Sequence, residues 1–364
     1  MSHALITEPE ALARAITRWS SSTYLAIDTE FVRVDTYYPR LCLVQVRDEQ
    51  ATALVDATAF VDLTPLLDAL YAHGSVKLFH AAAQDLEILA RLRSVCPQPL
   101  FDTQIAATLL GYGDQIGYAA LVEKRLGITL DKSLSRTDWS RRPLPGPALA
   151  YAAADVEYLA ELYPALQEEL AARERLAWLA EDCARICEPA LYRTEPADAW
   201  QRLRGLGRLS PREQTVAAAL AAWRETEAQQ RDRPRKWIVD DEPLYRLAQR
   251  QPRSMQELSS LAVLPPRTAE RHGETLLEII GNALTEPERI YARDEELDAA
   301  GKILLKLLQG IVLTRAQALG LPAGYLAPKA DLMRLVREGG DAPVNVLRGW
   351  RREVCGAALL DALP

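Results

Sequence analysis

The chain has 364 residues, of which 49% are hydrophobic and 26% are charged, and its formal net charge is −7. This length predicts two or three domains, and the negative charge argues against a protein that grips nucleic acid over its whole surface. Because the sequence shows no secretion signal, no membrane-spanning apolar stretch and only five scattered cysteines, we expect a cytoplasmic protein with free, buried thiols.

Strand and helix patterns alternate in the first 165 residues. Apolar runs bounded by polar turns predict strands at 24–31, 41–48, 52–57 and 76–80. Helical patterns are predicted around 63–73, 82–92 and 118–127. Early strands with short connections, followed by strands alternating with helices, indicate a mixed sheet covered by helices. We therefore predict an α/β domain at 1–165.

Strand signals fade after residue 165. One long helical pattern at 165–186 begins a predicted helical connector at 166–209, which also carries Pro and Gly. The start signal of a capped helix follows, with Ser at 210, Pro at 211 and Glu at 213. Helical patterns up to residue 286 predict an all-helical domain at 210–286, and 293–364 is a weak repeat of it.

Two acids end the first predicted strand, in the string YLAIDTEF. Asp28 and Glu30 leave the same face of the strand, about 6 to 7 Å apart at the backbone, and no Lys or Arg separates them. A solvated strand end would explain such a pair. The alternative is a divalent cation between the carboxylates, because Mg²⁺ binds a few carboxylate oxygens and keeps its remaining waters.

Three further polar residues stand in the α/β domain. Asp85 lies in the first turn of a predicted helix, where an acid also complements the helix dipole. Tyr151 and Asp155 are four residues apart on a later predicted helix and share one side of it. Ordinary structure explains each residue singly, so only the ordered set points to chemistry.

This ordered set resembles the exonuclease motifs of the DEDD superfamily. The strings DTEFVRVDTYYPRLCLVQV and DKSLSRTDWSRRPL resemble the ribonuclease D family more closely. DRPRKWIVDDEPLYRLA and LPPRTAERHGETLLEII resemble its HRDC domain, and GWRREVCGAALLDAL resembles the end of a second, diverged copy at 293–364. The resemblance implies a ribonuclease H-like α/β exonuclease domain followed by two all-α HRDC-type domains.

The resemblance also implies a site that holds two divalent metal ions, Mg²⁺ or Mn²⁺, and a tyrosine that positions the attacking water. The implied metal ligands are Asp28, Glu30, Asp85 and Asp155, and the tyrosine is Tyr151. A related branch carries His where this chain has Ala150, so the tyrosine branch is the match. His80 follows a predicted strand, and we expect it to pack or hydrogen-bond.

The implied function is 3′-to-5′ exoribonuclease activity on stable RNA precursors such as tRNA, with release of nucleoside 5′-monophosphates. Nothing in the sequence indicates an oligomer, so we expect a monomer. The acids by themselves argue only for two-metal hydrolysis. A DNA-directed exonuclease of the same superfamily stays open, because nothing in the motifs reads a 2′-hydroxyl. A catalytically silent nucleic-acid-binding protein is the other alternative.

A basic loop precedes the predicted helix of Tyr151. Its candidate substrate contacts are Lys132, Arg136, Trp139, Arg141 and Arg142. The cations would reach phosphates, and Trp139, Phe31 or Tyr37 would stack on bases. The alternative is a solvated loop with Trp139 in the core. A second basic cluster, residues 231–236, is either an RNA contact or a solvated turn.

Overall fold

A computed structural model of the chain describes residues 5–131, 134, 137–291 and 296–364. The predicted substrate contacts Lys132 and Arg136 lie outside these described residues. Two compact units make up the fold. The first comprises Met1–Val32, Leu41–Tyr192 and Leu297–Pro364, and the second comprises Arg33–Arg40 and Arg193–Glu296. No helix within the described residues is long and apolar enough to cross a membrane.

A six-stranded mixed sheet lies at the centre of the first unit. The strands are β1 (Leu5–Ile6), β2 (Tyr24–Val32), β3 (Arg40–Arg47), β4 (Thr52–Asp56), β5 (Val76–Phe79) and β6 (Leu100–Asp102). Their order is β1-β4-β3-β2-β5-β6, with β3 antiparallel to β4 and β2 parallel to β5. The four predicted strands are confirmed, whereas the short β1 and β6 carry too few residues to form a pattern.

Helices cover both faces of this sheet. They are α1 (Pro9–Trp19), α2 (Thr64–Tyr71), α3 (Ala83–Arg93), α4 (Thr103–Leu109), α5 (Tyr118–Leu126), α6 (Gly146–Ala172) and α7 (Leu176–Ile186). Because successive side chains of a strand point to opposite faces, Leu25 and Ile27 belong to one buried cluster and Ala26 to another. This alternation also decides the face on which Asp28 and Glu30 emerge.

The long helix predicted at 165–186 is wrong, because two helices occupy this stretch. Helix α6 ends at Ala172 and α7 begins at Leu176, and the predicted domain boundary at 165 falls inside α6. The intervening residues, Arg-Glu-Arg, are ordinary helix formers, so propensity gives no sign of the break. Glu174 has a φ of 57° at the break, and tertiary contacts hold the next residue: the guanidinium of Arg175 donates to the carbonyl of Leu109 and, at 2.7 Å, to that of Leu319.

The second unit is helical, as predicted. Its helices are α8 (Pro211–Arg231), α9 (Arg235–Ile238), α10 (Asp241–Arg250), α11 (Met255–Ser260) and α12 (Pro266–Thr285). The predicted capped start is confirmed: the Ser210 side chain accepts from the amide of Glu213, and the amide of Ser210 donates to the Glu213 carboxylate at 2.8 Å. Leu220, Leu244 and Ile280 are among its buried core residues.

The C-terminal segment, residues 297–364, is also helical. It contains α13 (Ala299–Leu319), α14 (Ala323–Leu326), α15 (Lys329–Glu338), α16 (Gly349–Arg351) and α17 (Ala357–Asp361), with one π-helical turn between the last two. Its buried residues Leu308 and Val312 belong to the same cluster as Leu109 and Leu162 of α4 and α6. The segment therefore shares a core with the first unit. All five cysteines of the chain are free and buried, as predicted.

Candidate active site

Three elements of the first unit bring polar residues to one edge of the sheet. Strands β2 and β5 are parallel neighbours, so their carboxyl ends lie side by side. Asp28 and Glu30 leave the end of β2, and β5 leads into α3, which carries Asp85 in its first turn. Helix α6 packs on β2 and carries Tyr151 and Asp155 one turn apart.

The carboxylates of Asp28, Glu30 and Asp155 converge. Each offers an oxygen, and these three atoms lie within 4.8 Å of one another. Asp85 is not a member of this close group. It is buried beside it, and its Oδ1 accepts a hydrogen bond from the Thr29 hydroxyl at 2.5 Å. The structure therefore gathers all four predicted acids in one region, three of them in direct proximity.

Mutual repulsion and burial act on the protonation of these acids. Burial, followed by the charges of Asp85, Asp155 and Glu30, raises the pKa of Asp28 well above its usual range. Burial and the charges of Asp155 and Asp85 raise the pKa of Glu30 to about 8. Burial raises the pKa values of Asp85 and Asp155 to about 7. Full ionisation of such a buried cluster is favourable only when a cation lies beside the carboxylates.

Tyr151 lies against this cluster. Its hydroxyl donates a hydrogen bond to the Asp155 carboxylate, and its ring is 6.3 Å from the ring of Trp139. Burial, followed by the charges of Asp155, Glu30 and Asp28, raises the pKa of Tyr151 far above its ordinary value. The phenol therefore stays protonated at neutral pH, where it can donate a hydrogen bond but cannot act as a base.

Two residues that the sequence patterns missed support the cluster. The Tyr118 hydroxyl donates to the carbonyl of Ala154 at 2.9 Å, and the charges of Asp155 and Asp28 add to burial in raising the pKa of Tyr118. Asp102 caps α4 and accepts from the amide of Ala82, just before α3, at 2.8 Å. An Asp before a helical run is a capping signal that the sequence does carry, whereas no pattern marks Tyr118.

His80 has the structural role that was predicted for it. Its Nδ1 lies 2.9 Å from the Thr103 hydroxyl and its Nε2 lies 3.1 Å from the carbonyl oxygen of Ile116. Burial lowers the pKa of this imidazole, so the ring is neutral at physiological pH. Because a carbonyl oxygen can only accept, Nε2 of the neutral ring carries the proton and donates it to Ile116.

Two of the predicted substrate contacts are wrong. Trp139 is buried in a cluster with Leu43 and Leu144, so its ring is not available for stacking on a base. Arg142 is bound within the protein: it donates to both Asp56 carboxylate oxygens at 2.5 and 2.6 Å, and to the carbonyl oxygens of Cys42, Trp139 and Arg141. All five N–H donors of this guanidinium are used, and none remains for a phosphate.

Arg141 differs from its neighbour. Its side chain is 83% exposed and lies 3.4 Å from the exposed carboxylate of Asp138. An exposed pair of this kind contributes little to stability, so the guanidinium can exchange its partner for a phosphate. Among the described residues of the loop set, Arg141 is the one whose exposure is compatible with a phosphate contact, which stays a prediction.

Two family models match the chain. The model described as a 3′-5′ exonuclease matches residues 4–171, and the model described as an HRDC domain matches residues 213–280. The first match contains every residue of the acidic cluster. The second covers most of the domain predicted at 210–286, and the C-terminal segment lies outside both matches.

Curated relatives and a solved structure agree with these matches. The chain is 40% identical to ribonuclease D of Sphingobium indicum, covering 99% of this chain and 94% of that protein. It is also 40% identical to ribonuclease D of Zymomonas mobilis, covering 97% and 92%. The crystal structure of Escherichia coli RNase D, described as an exoribonuclease involved in structured RNA processing, superposes with a TM-score of 0.90 at 32% identity, covering 100% and 98%.

Proposed function

This chain belongs to the ribonuclease D family, and we propose that Asp28, Glu30, Asp85, Tyr151 and Asp155 form its active site. As a member of that family, the protein is a 3′-to-5′ exoribonuclease, and RNA is its substrate. One observation supports the site above the others: three carboxylate oxygens lie within 4.8 Å of one another at the strand end of the exonuclease domain.

An exonuclease domain of this fold works with divalent metal ions, and the residues present fit them. Carboxylate oxygens are the ligands that Mg²⁺ and Mn²⁺ prefer, and a cation would offset the burial and the neighbouring negative charges that raise the pKa of Glu30. We assign two ions to the four acids, with Asp28, Glu30 and Asp155 as the closest group. When bound, the ions lower the pKa of water and stabilise charge on phosphoryl oxygens.

The chain's own contribution to the reaction is positional. The neutral Tyr151 phenol, already hydrogen-bonded to Asp155, orients the attacking water through its hydroxyl group. The Thr29 hydroxyl and the capping residue Asp102 hold Asp85 and the start of α3 in place. Attack on phosphorus with departure of the 3′ oxygen leaves the phosphate on the 5′ position, so the products are nucleoside 5′-monophosphates.

The substrates that we propose are the 3′ ends of stable RNA precursors such as tRNA. Two facts support this: the E. coli protein is described as acting in structured RNA processing, and this chain carries an HRDC domain, a type of nucleic-acid-binding module. We further propose that the enzyme acts as a cytoplasmic monomer with an exonuclease domain at 1–165, a connector at 166–209 and an HRDC domain at 210–286. Residues 293–364 are a second, diverged HRDC-type domain.

The test compares matched RNA and DNA single strands, labelled at the 5′ end, with Mg²⁺ and with EDTA. We expect stepwise shortening of RNA in Mg²⁺, nucleoside 5′-monophosphates as products, and no cleavage in EDTA. Equal rates on DNA would indicate a general exonuclease of the same superfamily. Binding without cleavage in either Mg²⁺ or Mn²⁺ would indicate a silent nucleic-acid-binding protein.

A further inference from the structure

The basic turn, residues 231–236, runs from the last residue of α8 into the start of α9 in the second unit. Each of its three arginines has an acidic partner in that unit. The pairs are Arg231 with Glu227 at 2.7 Å, Arg233 with Asp35 at 3.2 Å, and Arg235 with Glu225. All three arginines are therefore engaged in ion pairs within the protein. A turn that only bound RNA, or one that was only solvated, would not require these acidic partners.

These contacts clamp the turn against residues 33–40. The Arg235 guanidinium donates to the Tyr37 hydroxyl at 2.8 Å, and the Glu225 carboxylate beneath it is buried. On the other side, Asp232 Oδ1 accepts from the amides of Tyr37 and Tyr38, both at 3.0 Å. Because buried charges with several partners tolerate few alternative geometries, this clamp gives the turn a defined shape.

The clamped turn presents an indole to solvent. Trp237 follows it directly, its side chain is 55% exposed, and it is the only aromatic among the exposed large hydrophobic residues of the described chain. The Arg233 guanidinium lies 5.9 Å from the centroid of this ring. Lys236 is exposed and makes no ion pair within the described residues. An exposed aromatic ring thus lies beside the Arg233 cation, and a second exposed cation, Lys236, precedes it in the chain.

Flat aromatic rings beside cations bind single-stranded nucleic acid, because every base has a π face and every linkage a negative charge. Arg233 is held beside the ring by its contacts to the carboxylate and the carbonyl of Asp35, and its side chain, which is 48% exposed, adds positive charge there. We propose that Trp237 is a base-stacking platform for single-stranded RNA, with Lys236 contacting the backbone phosphate and Arg235 holding the turn. This inference rests on RNA being the substrate.

The experiment measures binding of a fluorescent, unstructured RNA oligonucleotide to the full chain in EDTA, which prevents cleavage. Trp237→Ala should weaken binding roughly tenfold, equivalent to about 1.4 kcal/mol, as expected for the loss of one base stack. Trp237→Tyr should keep most of the affinity because it keeps a stacking ring. Ile290→Ala, which removes another exposed apolar side chain of the second unit, is the matched control and should bind like wild type.

Salt dependence separates stacking from charge. Trp237→Ala removes no charge, so the plot of log affinity against log salt should keep its slope. Lys236→Gln should reduce that slope by about 0.7, the value expected for one phosphate contact on a single strand. An unchanged slope for Lys236→Gln would remove this lysine from the interface, and a reduced slope for Trp237→Ala would contradict stacking.

Abasic RNA tests base stacking on the wild-type protein, so the result does not depend on whether Trp237→Ala folds well. Moving one abasic site along the oligonucleotide should reveal a position at which wild-type affinity falls and the difference from Trp237→Tyr disappears. If wild type cleaves RNA in Mg²⁺ but no such position exists and Trp237→Ala binds normally, the stacking platform is disproved while the exoribonuclease stands. If wild type neither binds nor cleaves RNA, the proposed function itself fails.

Discussion

Asp182 and Arg351 form a buried ion pair although they are 169 residues apart in the chain. Their side chains are 1% and 2% exposed, and the two guanidinium nitrogens reach the two carboxylate oxygens at 2.5 and 3.1 Å. The Tyr325 hydroxyl donates to the same carboxylate at 2.5 Å. The pair joins α7 to the C-terminal segment and gives the shared core of the first unit a specific docking geometry.

Removal of one partner should therefore be costly. Arg351→Met removes the buried countercharge of Asp182 and leaves it only Arg185, at 3.5 Å, so we expect a loss of about 3 kcal/mol in the free energy of unfolding. Urea denaturation measures it. Arg334→Met, which breaks an exposed pair with Glu338, is the control and should leave the denaturation midpoint close to that of wild type. Equal, small effects would mean that the buried pair does not hold the segment.

Neutralising a cluster acid should abolish activity without unfolding the protein. In Asp28→Asn we expect the rate of RNA hydrolysis in Mg²⁺ to fall more than about 100-fold, because even mutation of a residue that only hydrogen-bonds to a metal ligand can cost that much. The metal-free variant should melt at or above the wild-type temperature, because one buried like charge has been removed. Near-normal turnover would exclude Asp28 from the metal site.

Tyr151→Phe tests the hydroxyl while keeping the ring. If the phenol orients the attacking water, kcat should fall roughly 100-fold, with little change in metal or RNA affinity. Single-turnover cleavage, read beside the melting temperature, is the measurement. If Tyr151 only packs against Trp139, both cleavage and melting will be close to wild type, and the residue has no part in the chemistry.

Stability of the metal-free protein should fall as the pH rises. Burial and neighbouring charges raise the pKa of Glu30 to about 8 and those of Asp85 and Asp155 to about 7, so the folded state binds these protons more tightly than the unfolded state. The stabilising contribution of these protons is complete when the pH is below the ordinary pKa of a carboxyl group. It is lost as the pH rises to the raised pKa values of the folded state. Melting in EDTA from about pH 5 to about pH 8 should show the decline.

Two comparisons assign that decline to the acidic cluster. Mg²⁺ should raise the melting temperature most at the alkaline end, where the carboxylates are ionised and able to bind it. Glu30→Gln should flatten the profile in EDTA, because it removes the acid whose pKa is raised to about 8. A melting temperature that rises across this range in wild type would contradict the predicted sign.

The adjacent arginines of the loop should behave differently. Arg141→Gln should weaken RNA binding at low salt and reduce its salt slope by about 0.7, while leaving melting unchanged. Arg142→Gln should lower the melting temperature, because it leaves the Asp56 carboxylate without its ion-pair partner. Binding assays across a salt series and thermal melts of both variants check this, and an identical pair of phenotypes would contradict it.

Local patterns in the sequence were sufficient for most elements and for the acids. The alternation of β2 places Asp28 and Glu30 on one face, and the helical period places Tyr151 beside Asp155. The Ser210 cap needs only Glu213, three residues away. Each of these relationships spans one strand or one helical turn, so the residues that determine it are neighbours in the chain.

The contacts of the remaining residues are determined only by tertiary packing. The sequence offers Trp139, Phe31 and Tyr37 alike for stacking on bases, and only the packed structure shows that the tryptophan is buried. Arg142 meets Asp56 across 86 residues, and Arg235 meets Tyr37 across 198. The local sequence around a charged or apolar residue does not show whether that side chain will contact water, RNA or a carboxylate far away in the chain. The partner is selected only when the whole chain packs, because burial then makes an unpaired charge too costly to leave.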